Sequence, residues 1–257
     1  MPSDKDETFN SLLFVLASLL TTILSAVAVL SIWAKEKSVR IPLREPVAFL
    51  ADKKRALKFY EVLSNGYDIL NPYLYTVSMR TTIVNHIDGK DSESLRVLDV
   101  GCGTGYTSIG VLNNEAVGDV FCVDMNSKQL ARAQKNLLIE KKRTNISMGD
   151  VENLPFQDGM FDAVVSVGAI EYFPRPDEAL NEMMRVLKSS GKLIIAGPES
   201  TWFRKLSLDR FFYTPSAVEL KRLFKNAGLL NVKIVLTGLK TFLRTAKYVV
   251  VAVGTRE

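Results

Sequence analysis

The run Val97-Leu98-Asp99-Val100-Gly101-Cys102-Gly103-Thr104-Gly105 carries an apolar β-type stretch straight into a glycine-rich turn. Glycines at such a turn let the backbone bend tightly and approach a ligand without Cβ collisions. An acid, Asp99, precedes the glycines, their spacing is Gly-x-Gly-x-Gly, and no later glycine completes the dinucleotide fingerprint. Nineteen residues beyond Gly105, Asp124 ends the next apolar run, followed by Met125. A carboxylate at that edge can accept hydrogen bonds from both hydroxyls of a ribose. A third run closes on Gly149-Asp150-Val151, where the acid either faces a ligand or makes a plain turn. The fourth ends Ser166-Val167-Gly168-Ala169-Ile170-Glu171-Tyr172, an edge at which a substrate would meet a bound cofactor. Cys102 and Cys122 are the two cysteines and His86 the one histidine, and their spacing suits neither zinc nor a disulfide, so neither a metal site nor a bridge is expected.

Those residues need a scaffold that brings several chain segments to one edge. From Leu95 onward short apolar runs alternate with amphipathic stretches. The pattern predicts strands at Arg96 to Val100, Val120 to Val123, around Ile146, Phe161 to Val167, Lys192 to Ala196, Val232 to Leu236 and Tyr248 to Val253. Helices are predicted after Gly105, over Ser127 to Glu140, Asp177 to Leu187 and Pro215 to Asn226. Such alternation gives a doubly wound, seven-stranded, mostly parallel sheet, its last two strands antiparallel because no helix separates them. Upstream, Val47 to Leu63 returns apolar residues at helical spacing, and Asn71-Pro72 caps a second helix to about Ile87, so 47–90 reads as a helical cap segment of a domain over 47–257.

Phe9 to Ala34 contains no charged residue and would span about 39 Å as a helix, enough to cross a tilted bilayer. The acidic Asp4 to Glu7 stretch is unlike a signal-peptide n-region, so residues 1–34 are expected to be a tail and a transmembrane helix. Net charge is +5, and the surplus between Lys35 and Lys58 accounts for all of it. A basic linker over 35–46 just after a span implies contact with anionic headgroups rather than with nucleic acid. The positive-inside tendency then puts the N-terminus outside and the main domain on the cytosolic side.

Together with Leu154-Pro155-Phe156, Phe161 to Val165 and Arg185 to Leu193, the glycine turn resembles the motif series of class I S-adenosylmethionine (SAM)-dependent methyltransferases. That resemblance implies SAM as cofactor, held by Asp99, Gly101, Gly103, Gly105, Asp124, Met125, Asp150, Val151 and Ser166, with the acid at Asp150 meeting the adenine amino group. The fourth-strand edge lacks the Asn-Pro-Pro-aromatic block of enzymes that methylate base amines. More narrowly, Phe59 to Leu63, Tyr67 to Pro72, Ser166 to Pro174, Ala196 to Pro198, Trp202 to Phe212 and Phe224 to Leu229 resemble quinone-ring C-methyltransferases, in particular the 2-methyl-6-phytyl-1,4-benzoquinol enzymes. The plant enzymes carry their anchor at the C-terminus, whereas here the apolar span is N-terminal.

The implied acceptor is a lipophilic prenylated benzoquinol or naphthoquinol, which makes sense of an anchor: the tail stays in the bilayer while the ring reaches the cofactor. A phenol ionises near pH 10, so carbon attack needs a base or a phenolate stabiliser. Glu171 is the first candidate base and Tyr172 its ring-positioning partner, with His86 in the cap segment as the alternative. Tyr67 and Asp68 are candidates to close over the site. The residues themselves leave open a lipid, sterol or small-molecule O-, N- or S-methyltransferase, and a non-catalytic assembly factor.

Overall fold

Alternation within the strands decides the architecture. In β1 (Leu95–Val100), Val97 turns to one face while Leu98 and Val100 turn to the other, and all three are buried. The same two-sided burial recurs in β2 (Val117–Asp124), β4 (Phe161–Val167), β5 (Leu187–Pro198) and β7 (Thr245–Arg256). A sheet apolar on both faces needs a helical layer on each. The computed structural model describes residues 50–61, 77–87, 94–138, 143–199, 212–240 and 245–257.

Seven strands form one sheet in the order β3-β2-β1-β4-β5-β7-β6, where β3 is Thr144–Met148 and β6 is Leu229–Lys240. Pairs β1·β2, β2·β3, β1·β4 and β4·β5 are parallel, and β7 runs antiparallel to both β5 and β6. On one face α5 (Pro176–Val186) and α6 (Ala217–Asn226) cover Leu98, Val164, Leu193 and Val250. On the other, α2 (Val77–Val84), α3 (Tyr106–Leu112) and α4 (Ser127–Asn136) cover Val97, Val120, Val165 and Ile194. A further helix, α1, spans residues 53–61.

Local chemistry fixes the helix starts. Ser216 and Glu219 form a reciprocal capping box, so α6 begins at Ala217 rather than at Pro215. Asn126 caps α4 by accepting from the Lys128 and Gln129 amides, and the helix ends at Asn136, short of the expected Glu140. The expected β5 is extended back to Leu187, a stretch that includes Ser190 in the left-handed region and therefore lacks a clean strand pattern. Cys102 and Cys122 are free and buried.

The expected transmembrane helix, the basic linker over 35–46, Tyr67, Asp68 and Trp202 to Phe211 lie outside the described residues. Among the described residues no helix is long and apolar enough to cross a membrane.

Candidate active site

Strand order reverses between β1 and β4: the chain winds outward from β1 through β2 to β3 on one side and from β4 to β5 on the other. The carboxyl ends at such a switch point diverge and leave a crevice. A cleft of about 980 Å³, counting its open mouth, lies there between Val100–Thr104 and Val167–Ala169.

The glycine turn is the floor. Gly101, Gly103 and Gly105 all have positive φ (67°, 54° and 86°). A Cβ on Gly101 would lie 2.6 Å from the Ala169 Cβ, so the β1 and β4 turns close on each other only because it is absent. Nothing lies within 4 Å of where a Gly103 Cβ would sit, a cradle kept open on the cleft side. The turn is clamped to β2: Gly101 and Cys102 N–H groups donate to the Val123 carbonyl, and Gly103 N–H donates to Asp124 Oδ2 at 3.0 Å. The other Asp124 oxygen accepts from Asn126 N–H at 2.8 Å. Burial pushes the Asp124 carboxyl up, against the pull of these amide donors.

Asp124, Met125, Asp150, Val151, Gly101 and Gly103, which the resemblance implies for the cofactor, line the cleft. Asp150 is already engaged there. Its Oδ1 accepts from Glu152 N–H, and its Oδ2 lies 2.5 Å from Lys53 Nζ on α1. Lys53 also meets Glu152, which in turn pairs with Arg175 at 2.6 Å. Burial alone would raise the Asp150 and Glu152 carboxyls, but Lys53, the Glu152 amide and Arg175 together outweigh it for Asp150, and Lys53 with Arg175 for Glu152, so both lie below the ordinary range.

Four expected contacts are placed elsewhere. Asp99 is 1% exposed and turns to the α3 face, where Ser108 Oγ donates to its Oδ2 at 2.6 Å. It supports the turn from behind, and burial raises its carboxyl to about 7. Gly105 caps α3 and faces Leu137, and Ser166 is buried within β4, leaving Val167 and Gly168 at the cleft wall. Glu171, in the short 3-10 turn Ile170–Tyr172, is buried with its Oε2 3.6 Å from the Cβ position of Gly197, and it does not line the cleft; Tyr172 does. His86, the alternative candidate base, lies just beyond the last residue of α2. Asn114, beyond the C-terminus of α3, donates to the Val84 and Ile87 carbonyls, which fixes the end of α2 at the amino edge of the sheet, opposite the cleft.

Several residues at the cleft were not named as site residues from the sequence. Lys53, Ala56, Leu57 and Tyr60 bring α1 over the cleft, and Thr104, Asn126 and Gln129 line it below. Tyr172 sits in an aromatic cluster, with ring centroids 5.0 Å from Tyr60, 5.9 Å from Phe59 and 6.0 Å from Phe212. Thr104 Oγ1, Asn126 Nδ2 and both amide atoms of Gln129 are buried without a hydrogen-bond partner. With the open cradle at Gly103 and the paired acids, these orphaned polar atoms fit a ligand that is itself polar and hydroxylated. Among the described residues no cluster could hold a metal ion.

Sheet order, glycine turn and β2 acid together define a doubly wound domain that binds a nucleoside-type cofactor. Residues 98–195 match the methyltransferase domain family. The chain is 37% identical over 198 residues to the chloroplastic 2-methyl-6-phytyl-1,4-hydroquinone methyltransferase of Arabidopsis thaliana, covering 76% of this chain and 57% of that one. It therefore spans less than two thirds of that relative's length. It is 32% identical over 180 residues to the ubiquinone/menaquinone biosynthesis C-methyltransferase UbiE of Chromobacterium violaceum, covering 66% and 72%. The fold matches that of Haemonchus contortus phosphoethanolamine N-methyltransferase 2 in complex with S-adenosyl-L-methionine, with a TM-score of 0.58, 16% identity and coverage of 70% and 52%. The chain belongs to the class I SAM-dependent methyltransferases, with quinol ring C-methyltransferases among its relatives. Membership of this family gives SAM as the cofactor, and Gly101, Gly103, Asp124, Met125 and Val151 line the cleft that would hold it.

Proposed function

We propose that the chain is a membrane-anchored methyltransferase that modifies a ring carbon of a prenylated quinol, benzoquinol or demethylmenaquinol in type. The observation that carries the acceptor class is the aromatic cluster beside the glycine turn. Tyr60 and Tyr172 open onto the cleft, and Phe59 and Phe212 pack behind them. Aromatic walls of this kind favour offset or edge-to-face contact with a second ring, and their phenols can orient a ring hydroxyl. The names of the Arabidopsis and Chromobacterium relatives support the same acceptor class.

SAM supplies an electrophilic methyl group when bound. On the acceptor, the methyl replaces a ring hydrogen, which leaves as a proton. Tyr172 and Tyr60 position the ring, while Ala56 and Leu57 of α1 shield the cleft from water. Glu171 acts as a positioning residue, since its carboxylate lies over Gly197 while its carbonyl accepts from Tyr213 N–H.

The apolar stretch Phe9 to Ala34 and the basic residues from Lys35 to Lys58 support anchoring in a bilayer, N-terminus outside and catalytic domain on the cytosolic side. The full chain, incubated with methyl-labelled SAM and a total lipid extract, should label a prenylated quinol in a form stable to acid and base. Label recovered only in a headgroup, ester or phenol ether overturns the acceptor assignment.

A further inference from the structure

α6 buries Leu220, Leu223 and Phe224 against the sheet and turns Val218, Lys221, Arg222, Lys225 and Asn226 outward, the spacing of a single helical face about 12 Å long. Three of those five residues are basic and none is acidic. At the two ends of the neighbouring α5 the cations are neutralised, Arg175 by Glu152 and Glu178, and Arg185 by Glu182 and Asp158. Among the described residues no acid pairs with Lys221, Arg222 or Lys225. Glu219, the acid within α6, is tied into the reciprocal cap with Ser216, and Asp177 stands to one flank, across the groove between α5 and α6.

Apolar groups stand at the cleft end of this row. Val218, in the first turn of α6, is 78% exposed, and Leu236 is 41% exposed. Leu236 is in register with Val250, and Val250 with Gly197 near the end of β5, which puts Leu236 on the α6 side of the sheet at its carboxyl edge. α6 starts from that same edge, since Tyr213 N–H donates to the Glu171 carbonyl and the Phe212 ring lies 6.0 Å from that of Tyr172 at the cleft. Unpaired cations with apolar side chains beside them match a surface that is anionic outside and apolar beneath: long basic stems reach headgroups while valine and leucine enter the interface. We propose that the outer face of α6, with Leu236, docks on an anionic lipid bilayer and holds the mouth of the cleft at the headgroups. α4, on the opposite face of the sheet, is basic too, but its Lys128 pairs with Glu61 and its exposed Leu138 follows the helix end remote from the cleft. The contact is separate from the Phe9 to Ala34 segment and independent of which acceptor is methylated.

The test mixes the full chain with vesicles of phosphatidylcholine alone or of phosphatidylcholine with phosphatidylglycerol, and follows modification of each lysine by a water-soluble amine reagent with mass spectrometry. In the mixed vesicles Lys221 and Lys225 should be modified about fivefold more slowly or less, Lys135 on α4 should keep its rate, and high salt should abolish the difference. Unchanged rates at Lys221 and Lys225, or equal slowing at Lys135, overturns the proposal. Equal protection by soluble polyglutamate also overturns it, by assigning the face to an acidic protein rather than to lipid. A second arm places an environment-sensitive fluorophore through Val218→Cys, where the native thiols Cys102 and Cys122 are buried. Its emission should shift to the blue in the mixed vesicles and lose that shift when Lys221→Glu, Arg222→Glu and Lys225→Glu are added, with S-adenosylhomocysteine affinity unchanged. A blue shift that survives the charge reversal overturns the proposal, and should the charge-reversed chain not fold, the lysine rates of the parent decide. Neither readout involves an acceptor, so a failure of the quinol reading and a failure of this one are told apart.

Discussion

Asp99 shows how a residue can serve a ligand site without reaching it. Its carboxyl is buried behind the glycine turn and bonded to Ser108, with its ionisation pushed to about 7 by desolvation. In the unfolded chain an aspartate ionises near 3.9. Between about pH 4 and pH 7 the native state therefore binds more protons at this position than the unfolded state, so its contribution to stability falls as pH rises through that window. Asp99→Asn keeps the shape and one oxygen for Ser108. Its unfolding midpoint should exceed the parent's at pH 8 and converge with it near pH 4; a difference constant across that range would refute the account of Asp99. Glu171 makes the complementary case. If it positions the turn rather than taking a proton, Glu171→Gln lowers the single-turnover rate by less than about tenfold, equally at every pH. A deficit of about 10² or more that shrinks as pH rises would make it the base.

At the scale of elements, α1 is held over the cleft by an ion-pair chain from Lys53 through Asp150 and Glu152 to Arg175. Lys53 and Asp150 are about a third exposed, so that contact is screened and contributes only about 0.2–1 kcal/mol. Glu152 is different, its side chain 2% exposed and dependent on two cations. Both carboxyls lie below their ordinary values, so the stability they add is present above the unfolded carboxylate range and is lost as pH falls below about 4. Lys53→Ala should raise hydrogen exchange across residues 53–61 several-fold while leaving the sheet protected, and unchanged exchange there would show that apolar packing alone holds α1. The glycine turn and Asp124 were legible in the sequence because each signal is local: a strand, a bend, a strand-end acid. The Lys53 contact joins residues 97 apart, which no periodicity encodes. The placement of His86 was not legible for a related reason, since a helical pattern upstream of a sheet does not say which edge its end will reach. Gln129 did leave a trace, a polar residue on the apolar stripe Leu130, Ala133 and Leu137, but a stripe cannot tell a ligand contact from a tolerated exception.

For the whole molecule, the proposed function divides the labour between a sheet edge that holds SAM and an N-terminal apolar segment that would bring a lipophilic acceptor to it. Deleting residues 1–34 should leave a folded domain that binds S-adenosylhomocysteine, because β1 begins only at Leu95. Activity on a long-tailed quinol in vesicles should fall at least tenfold, while activity on a short-tailed soluble analogue should hold, since an anchor supplies effective concentration rather than chemistry. Equal loss on both would make the segment part of the catalytic domain. The central claim, carbon methylation of a quinol ring, is tested most directly by giving the full chain carbon-13 methyl-labelled SAM and a short-tailed prenyl benzoquinol, then locating the label by proton-carbon correlation NMR. The account predicts an aryl C-methyl signal with loss of one ring proton; an O-methyl signal, or no transfer to the quinol by protein that binds S-adenosylhomocysteine, would contradict it.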